Sequence, residues 1–225
     1  MPRRNRIDPW GDLHPVSSRG LLTGNRGCLV NAYGQLTVHH RGSLWISCVT
    51  EFGGRRQPLD DPHRWTPLFF LDEAVALAAG HRPCGYCRRD AYLSFRDAVA
   101  WSDASDVHGA LDVSPDRGTG KPSASELNRR LQSERLRPGR GLIRAADRRL
   151  WTADISGLPG GTVIVAGNDG AMLLGSETKQ PFAFAGWGPA RARPRSGEVR
   201  VLTPPTIVAA LRCGYHPLLD GSAVA

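Results

Sequence analysis

Leu71-Asp-Glu-Ala-Val-Ala-Leu-Ala-Ala-Gly-His-Arg-Pro-Cys-Gly-Tyr-Cys-Arg-Arg-Asp90 is the stretch around which the chain is organised. Asp72 suits an N-cap, since its carboxylate accepts from the orphan N–H groups of the next turn, and Glu73 favours the positive end of the dipole. The pattern predicts a helix over Glu73–Ala79 that ends where Gly80 supplies a left-handed C′ residue, with Pro83 forbidding continuation. The pair Cys84-x-x-Cys87 then stands at the mouth of a second helix. That helix is predicted from Arg88 to about Trp101, with Ala91, Leu93, Phe95, Ala98 and Val99 on its apolar face.

At 225 residues the chain buries a core without help from a metal. Its 26 glycines and 17 prolines divide it into short elements, while 40% hydrophobic residues are too many for disorder. The net charge of +8 is nearly all arginine, with lysine only at Lys121 and Lys179. Arginine forks onto phosphate and stacks on bases, so nucleic acid is an expected partner, DNA more than RNA. High-GC bacterial coding accounts for the same excess without any function. The five cysteines are Cys28, Cys48, Cys84, Cys87 and Cys213, and Met1-Pro-Arg-Arg-Asn-Arg6 has no apolar leader. These features imply a reducing cytoplasm, where Cys-x-x-Cys means metal or redox chemistry sooner than a structural disulfide. No apolar run approaches a membrane span.

Residues 1–20 are expected to form a basic, irregular arm that packs Trp10 and leaves its arginines in water. Strands are expected at Leu21–Thr23, Cys28–Val30, Leu36–Val38, Leu44–Thr50 and Leu68–Leu71, around a polar loop at 53–68 that carries Arg55 and Arg56. The Ser, Asp, Gly and Pro content of 105–122 marks a linker between a module at 1–104 and a β-rich module at 123–225. Gly120-Lys121 within it is no phosphate loop, because Pro122 stands where Ser or Thr belongs. Ser123-Ala-Ser-Glu126 is a capping box for a helix with Leu127 and Leu131 inward and Arg129, Arg130 and Arg135 outward. Short strands follow at Leu142–Ile143, Leu150–Thr152, Thr162–Ala166, Ala171–Leu174 and Pro181–Ala185, with a hairpin turn at Asn168-Asp169-Gly170. A last strand at Glu198–Leu202 leads through a Thr203 cap into a helix that ends at Cys213-Gly214. The fold class is α+β, a small zinc-knuckle module of sheet and helices followed by a β-rich module with a C-terminal helix.

Cys84 and Cys87 are spaced so that both sulfurs reach the roughly 2.3 Å that zinc requires. One pair is half a site. Cys48 and then Cys28 are the candidate partners, with His81, His39 and His40 in reserve; buried packing for Cys28 and Cys48, and a redox dithiol for Cys84 and Cys87, are the competing readings. His63 beside Asp60-Asp61 reads as a polar loop histidine or a member of a metal or acid–base cluster. Tyr86, Phe95, Trp101, Trp151 and Trp187 suit either base stacking or the core.

Residues 45–90, and above all Ala78-Ala-Gly-His-Arg-Pro-Cys-Gly-Tyr-Cys87, resemble the metal-binding domain of Ada-type DNA alkylation-repair proteins. In that family a helix ending in Ala-Ala-Gly-Phe-Arg-Pro-Cys-x-x-Cys supplies two of four zinc cysteinates. The resemblance implies Zn2+ as cofactor and Cys48 as the strand cysteine that accepts a methyl group from a DNA phosphotriester. The family's fourth ligand falls four residues after that acceptor, where this chain has Phe52. Arg55, Arg56, Arg82, Arg88 and Arg89 are then the expected phosphate contacts beside the knuckle.

Overall fold

A computed structural model describes residues 2–56, 65–108, 120–167 and 170–224. Among these residues the chain is α+β, two sheets and four helices. The first sheet holds β1 (Arg6–Ile7), β2 (Leu13–His14), β3 (Leu22–Asn25), β4 (Ile46–Val49), β7 (Leu68–Phe70) and β8 (Arg82–Pro83), in the order β2-β1-β7-β3-β4-β8. The strands β5 (Glu51–Phe52) and β6 (Arg55–Arg56) make a separate hairpin. In the second sheet β9 (Trp151–Asp154), β10 (Val163–Ala166), β11 (Gly170–Leu174), β12 (Thr178–Ala183), β13 (Gly186–Trp187) and β15 (Glu198–Val201) run β13-β12-β11-β10-β15-β9, with β14 (Arg191–Ala192) on β12. The helices are α1 (Glu73–Ala78), α2 (Arg89–His108), α3 (Ala124–Arg135) and α4 (Pro205–Arg212).

Helix α1 lies at the centre, every residue buried. Asp72 accepts from Val75 N at 3.0 Å, as its capping position predicts. The other end closes as a Schellman motif: Gly80, at φ +86°, donates to Leu77 O, and His81 N donates to Ala76 O. Gly214, at φ +91°, ends α4 in the same way, Tyr215 N donating to Ala210 O, so the similar stretches Gly80-His-Arg-Pro83 and Gly214-Tyr-His-Pro217 share one C-cap chemistry. The outer oxygen of Asp72 accepts from Trp187 Nε1 at 2.7 Å and Asp220 N at 3.1 Å, pinning the helix start to the second sheet and the C-terminal tail.

One face of the second sheet, Val163, Val165, Ala171 and Leu173, packs on α1 and on Ile7, Leu22, Leu68 and Phe70 of the first. Its other face, Ile164, Met172, Leu174 and Val201, is covered by Val208 of α4, as period-two alternation requires. The boundary expected at 105–122 therefore does not divide the chain into modules with separate cores. Helix α2 runs on to His108, and residues 109–119 lie outside the described residues, as do Asn168 and Asp169 of the expected hairpin turn.

Several local expectations are corrected. The N-terminal arm is built into the first sheet through β1 and β2, because Ile7 and Leu13 are core residues; Arg6 stacks over Phe69 at 4.4 Å and Arg4 donates to Leu13 O. Cys28–Val30 and Leu36–Val38 contribute only a bridge between Val30 and Leu36, and Leu142–Ile143 is not a strand. Thr203 does not cap α4: its hydroxyl accepts from Val163 N, and Glu134 of α3 instead accepts from the Thr206 backbone and hydroxyl. Ser123 caps α3 and Leu127 and Leu131 face inward as expected, but Arg135 continues that stripe into the interior.

That interior is unusually cationic. Trp45 carries the guanidinium groups of Arg26 at 3.9 Å and Arg135 at 4.4 Å over its ring, and the rings of His39, His40 and His81 pack on it. Burial first, then the charge of Arg26, lowers His39 to about 2 and His40 to about 4, and holds His81 well below its ordinary range. All three are neutral in the folded protein at pH 7. Below about pH 6.5 the unfolded chain takes up protons that the folded chain does not, so stability falls as the pH drops, by at most about 1.4 kcal/mol per pH unit for each histidine. The contribution of His40 levels off near pH 4, its folded value. Urea midpoints at pH 7 and pH 5 measure this, and a lower midpoint at pH 5 is expected.

Candidate metal centre

Strand β4 pairs in parallel with β8, Ile46 beside Arg82 and Ser47 beside Pro83. Carrying that register one residue further sets Cys48 next to Cys84, and Cys84 N donates to Ser47 O at 2.9 Å. The tight turn after Cys84 brings Cys87 back to the same point before α2 begins. The three Sγ atoms lie within 4.8 Å of one another, Cys48 and Cys84 each 8% exposed and Cys87 half-buried. Three sulfurs each about 2.3 Å from one tetrahedral ion stand about 3.8 Å apart, so the cluster fits a common metal ion.

The polar surroundings also suit thiolates. Tyr86 N donates to Cys84 Sγ at 3.4 Å. Hydrogen bonds from Cys48 and Cys87 hold the Cys84 thiol far below the ordinary thiol range, while the bonds of Cys48 to Cys84 and Cys87, and then its burial, push Cys48 up. The cluster thus favours one thiolate among thiols, and ionising all three calls for a cation between them.

Arg82 and Arg88 are not the phosphate contacts that the sequence suggests, because both are turned inward. Arg88 forms a two-pronged pair with Glu73, both bonds 2.7 Å, and donates to Ser47 Oγ at 2.9 Å. Arg82 donates to Asn128 Oδ1 at 2.8 Å and to Pro83 O, and lies over the Tyr92 ring. Both side chains brace the knuckle against α1 and α3. Arg89 is exposed. Arg55 and Arg56 are described through their backbone, in the β5–β6 hairpin that follows Cys48.

Cys28 is not a member of the cluster. Its Sγ lies 3.5 Å from Val30 O, in the loop between β3 and β4. Nor are His39, His40 and His81, which belong to the knot around Trp45. His63 lies outside the described residues. Phe52, at the position of the missing fourth cysteine, is 40% exposed and packs on Tyr86, itself 77% exposed, with ring centroids 5.0 Å apart. Phe95 and Trp187 are core, Trp151 is half-buried, and Trp101 is 45% exposed. The residues that support the knuckle from behind, Ser47, Glu73, Asn128 and Tyr215, have no sequence signal, since they come together from distant stretches of the chain.

No described helix is long and apolar enough to cross a membrane. Comparison with protein-family models, curated proteins and solved structures finds no match for this chain.

Proposed function

We propose that the chain is a zinc-binding protein in which Cys48, Cys84 and Cys87 hold one ion that locks β4 to the start of α2. The observation that carries this reading is the convergence of the three sulfurs within 4.8 Å, from one strand and one knuckle. Bound there, zinc would keep the sulfurs ionised and cross-link two elements of the first sheet and helix layer. The Ada resemblance of residues 45–90 supports zinc over other ions, as does the thiolate-rich donor set.

The surroundings favour a scaffold over a methyl acceptor. Cys48 is 8% exposed and sits below braced side chains, whereas a nucleophile for a DNA phosphotriester must be reached by a bulky backbone. A nucleic-acid role has one observation in its favour: the exposed Phe52–Tyr86 ring pair, a surface on which bases can stack, with exposed Arg89 three residues further along the chain. One experiment addresses both. Zinc-loaded protein incubated with methylated single- and double-stranded DNA is expected to gain no mass on Cys48. Retention that weakens steeply with salt and is lost in Tyr86→Ala/Arg89→Ala would support the nucleic-acid role. A stable added methyl on Cys48 would overturn the scaffold reading.

A further inference from the structure

A second site lies away from the cysteines, where α3 ends against the Trp45 knot. A cavity of about 380 Å³ opens there, and its lining includes His40, Gln132, Arg135, Arg137 and Arg149, with no acidic residue. Its size is that of a small-molecule pocket. The interior next to it is charged: Arg135, in its lining, and Arg26 and Arg148, outside it, are all but fully buried, and none forms an ion pair with a carboxylate among the described residues. The carboxylates nearby are otherwise engaged. Asp12 accepts from the Arg144 and Ala145 backbone, Asp147 from Arg144 Nε, and Glu134 from Thr206. Arg148 donates to Ala79 O, Ala78 O and Leu202 O, and Arg26 to Gly11 O and His81 Nε2, while Arg148 Nε and Arg26 Nη2 are buried without a hydrogen bond.

Arg135 differs, because it lines the cavity and its one hydrogen bond runs from Nη2 to Ser43 O at 3.1 Å. Its Nε is buried without a hydrogen bond. Buried, unpaired charge is costly, and an anion in the adjoining cavity is the simplest compensation. Exposed Arg137 and Arg149 add forked donors at the rim.

We infer that this cavity is a binding site for a phosphate-bearing anion, with Arg135, Arg137 and Arg149 as donors to the phosphate oxygens. Phosphate fits the set better than carboxylate because it offers more acceptor oxygens to three forked donors that line one cavity. A free mononucleotide and the end of a nucleic-acid strand both present this group. The site is independent of the cysteine cluster.

Calorimetric titration of the zinc-loaded full chain at fixed ionic strength tests it, using inorganic phosphate, adenosine 5′-monophosphate, and a 5′-phosphorylated oligonucleotide beside its unphosphorylated twin. Binding of at least one phosphate probe is expected, weakened tenfold or more in Arg137→Ala/Arg149→Ala. Both residues are exposed, so the thermal midpoint of that variant without ligand should match the parent. Preference for the phosphorylated strand assigns the site to strand ends, and binding of phosphate or the mononucleotide without that preference assigns it to a free anion; either supports the inference. Failure of every probe to bind, or equal binding by the double variant, overturns it.

Discussion

Replacing Glu73 by alanine is expected to destabilise the protein by about 3–5 kcal/mol, the usual cost of leaving a buried charge without its partner. Glu73 is 1% exposed and accepts four hydrogen bonds: two from Arg88 at 2.7 Å, one from Tyr215 Oη at 2.6 Å and one from Leu218 N at 2.9 Å. It therefore ties the first turn of α1 to the knuckle and to the tail after α4. Its loss strands the Arg88 guanidinium, 8% exposed, with only the neutral Ser47 and Tyr215 hydroxyls beside it. Urea denaturation of Glu73→Ala measures the effect. The double variant Glu73→Leu/Arg88→Met should lose less than Glu73→Ala alone, because it removes both charges from the interior instead of one. A loss within about 0.5 kcal/mol for Glu73→Ala, the range of ordinary surface substitutions, would mean that this network does not hold the halves together.

Removing the proposed zinc ion is the second large perturbation. A site held at a thousandfold excess over its Kd contributes about 4 kcal/mol to the folded state by mass action. Chelation, or Cys84→Ser, should therefore lower the thermal midpoint and first expose β4, β8 and the N-terminal turn of α2, which the cluster joins. Hydrogen exchange should rise at the amide of Cys84, which bonds Ser47 O, before it rises in β10 and β11, whose strands are tied only to their own sheet and its packing layers. Unchanged exchange around Cys84 after complete zinc removal would contradict a role for the ion in that junction.

What the sequence reveals here is mostly what is local. The N-cap at Asp72, the left-handed Gly80 and the Ser123 half of the expected capping box each depend on residues within a turn of one another, so each can be read directly; the other half is absent, since Glu126 accepts from Arg130 instead. The knuckle is legible for the same reason. The pairing of β4 with β8 is not, because Arg82–Pro83 is a two-residue strand with no periodicity, and its partner lies 35 residues earlier, as the Ser47–Arg82 bond records. Without that register, Cys28 stays beside Cys48 as a candidate for the third ligand. Strands β1 and β2 are hidden in the same way, as two-residue segments inside a basic, proline-containing arm.

The inward arginines mislead for a different reason. Composition assigns arginine to the surface, yet Arg82, Arg88 and Arg135 are buried because Asn128, Glu73 and Trp45 meet them from other elements. Arg135 does carry a signal, since it follows Leu127 and Leu131 at four-residue spacing on one helix face. A basic residue at the end of an inward stripe, at a helix C-terminus whose dipole favours it, points to an interior site.

The zinc content of the purified chain, measured beside Cys48→Ser and Cys28→Ser, tests the central claim most directly. About one zinc per chain is expected in the parent and in Cys28→Ser, with its loss in Cys48→Ser, because Cys48 belongs to the three-sulfur cluster and Cys28 does not. A parent chain that retains no metal, or zinc lost with Cys28 and kept without Cys48, would contradict it.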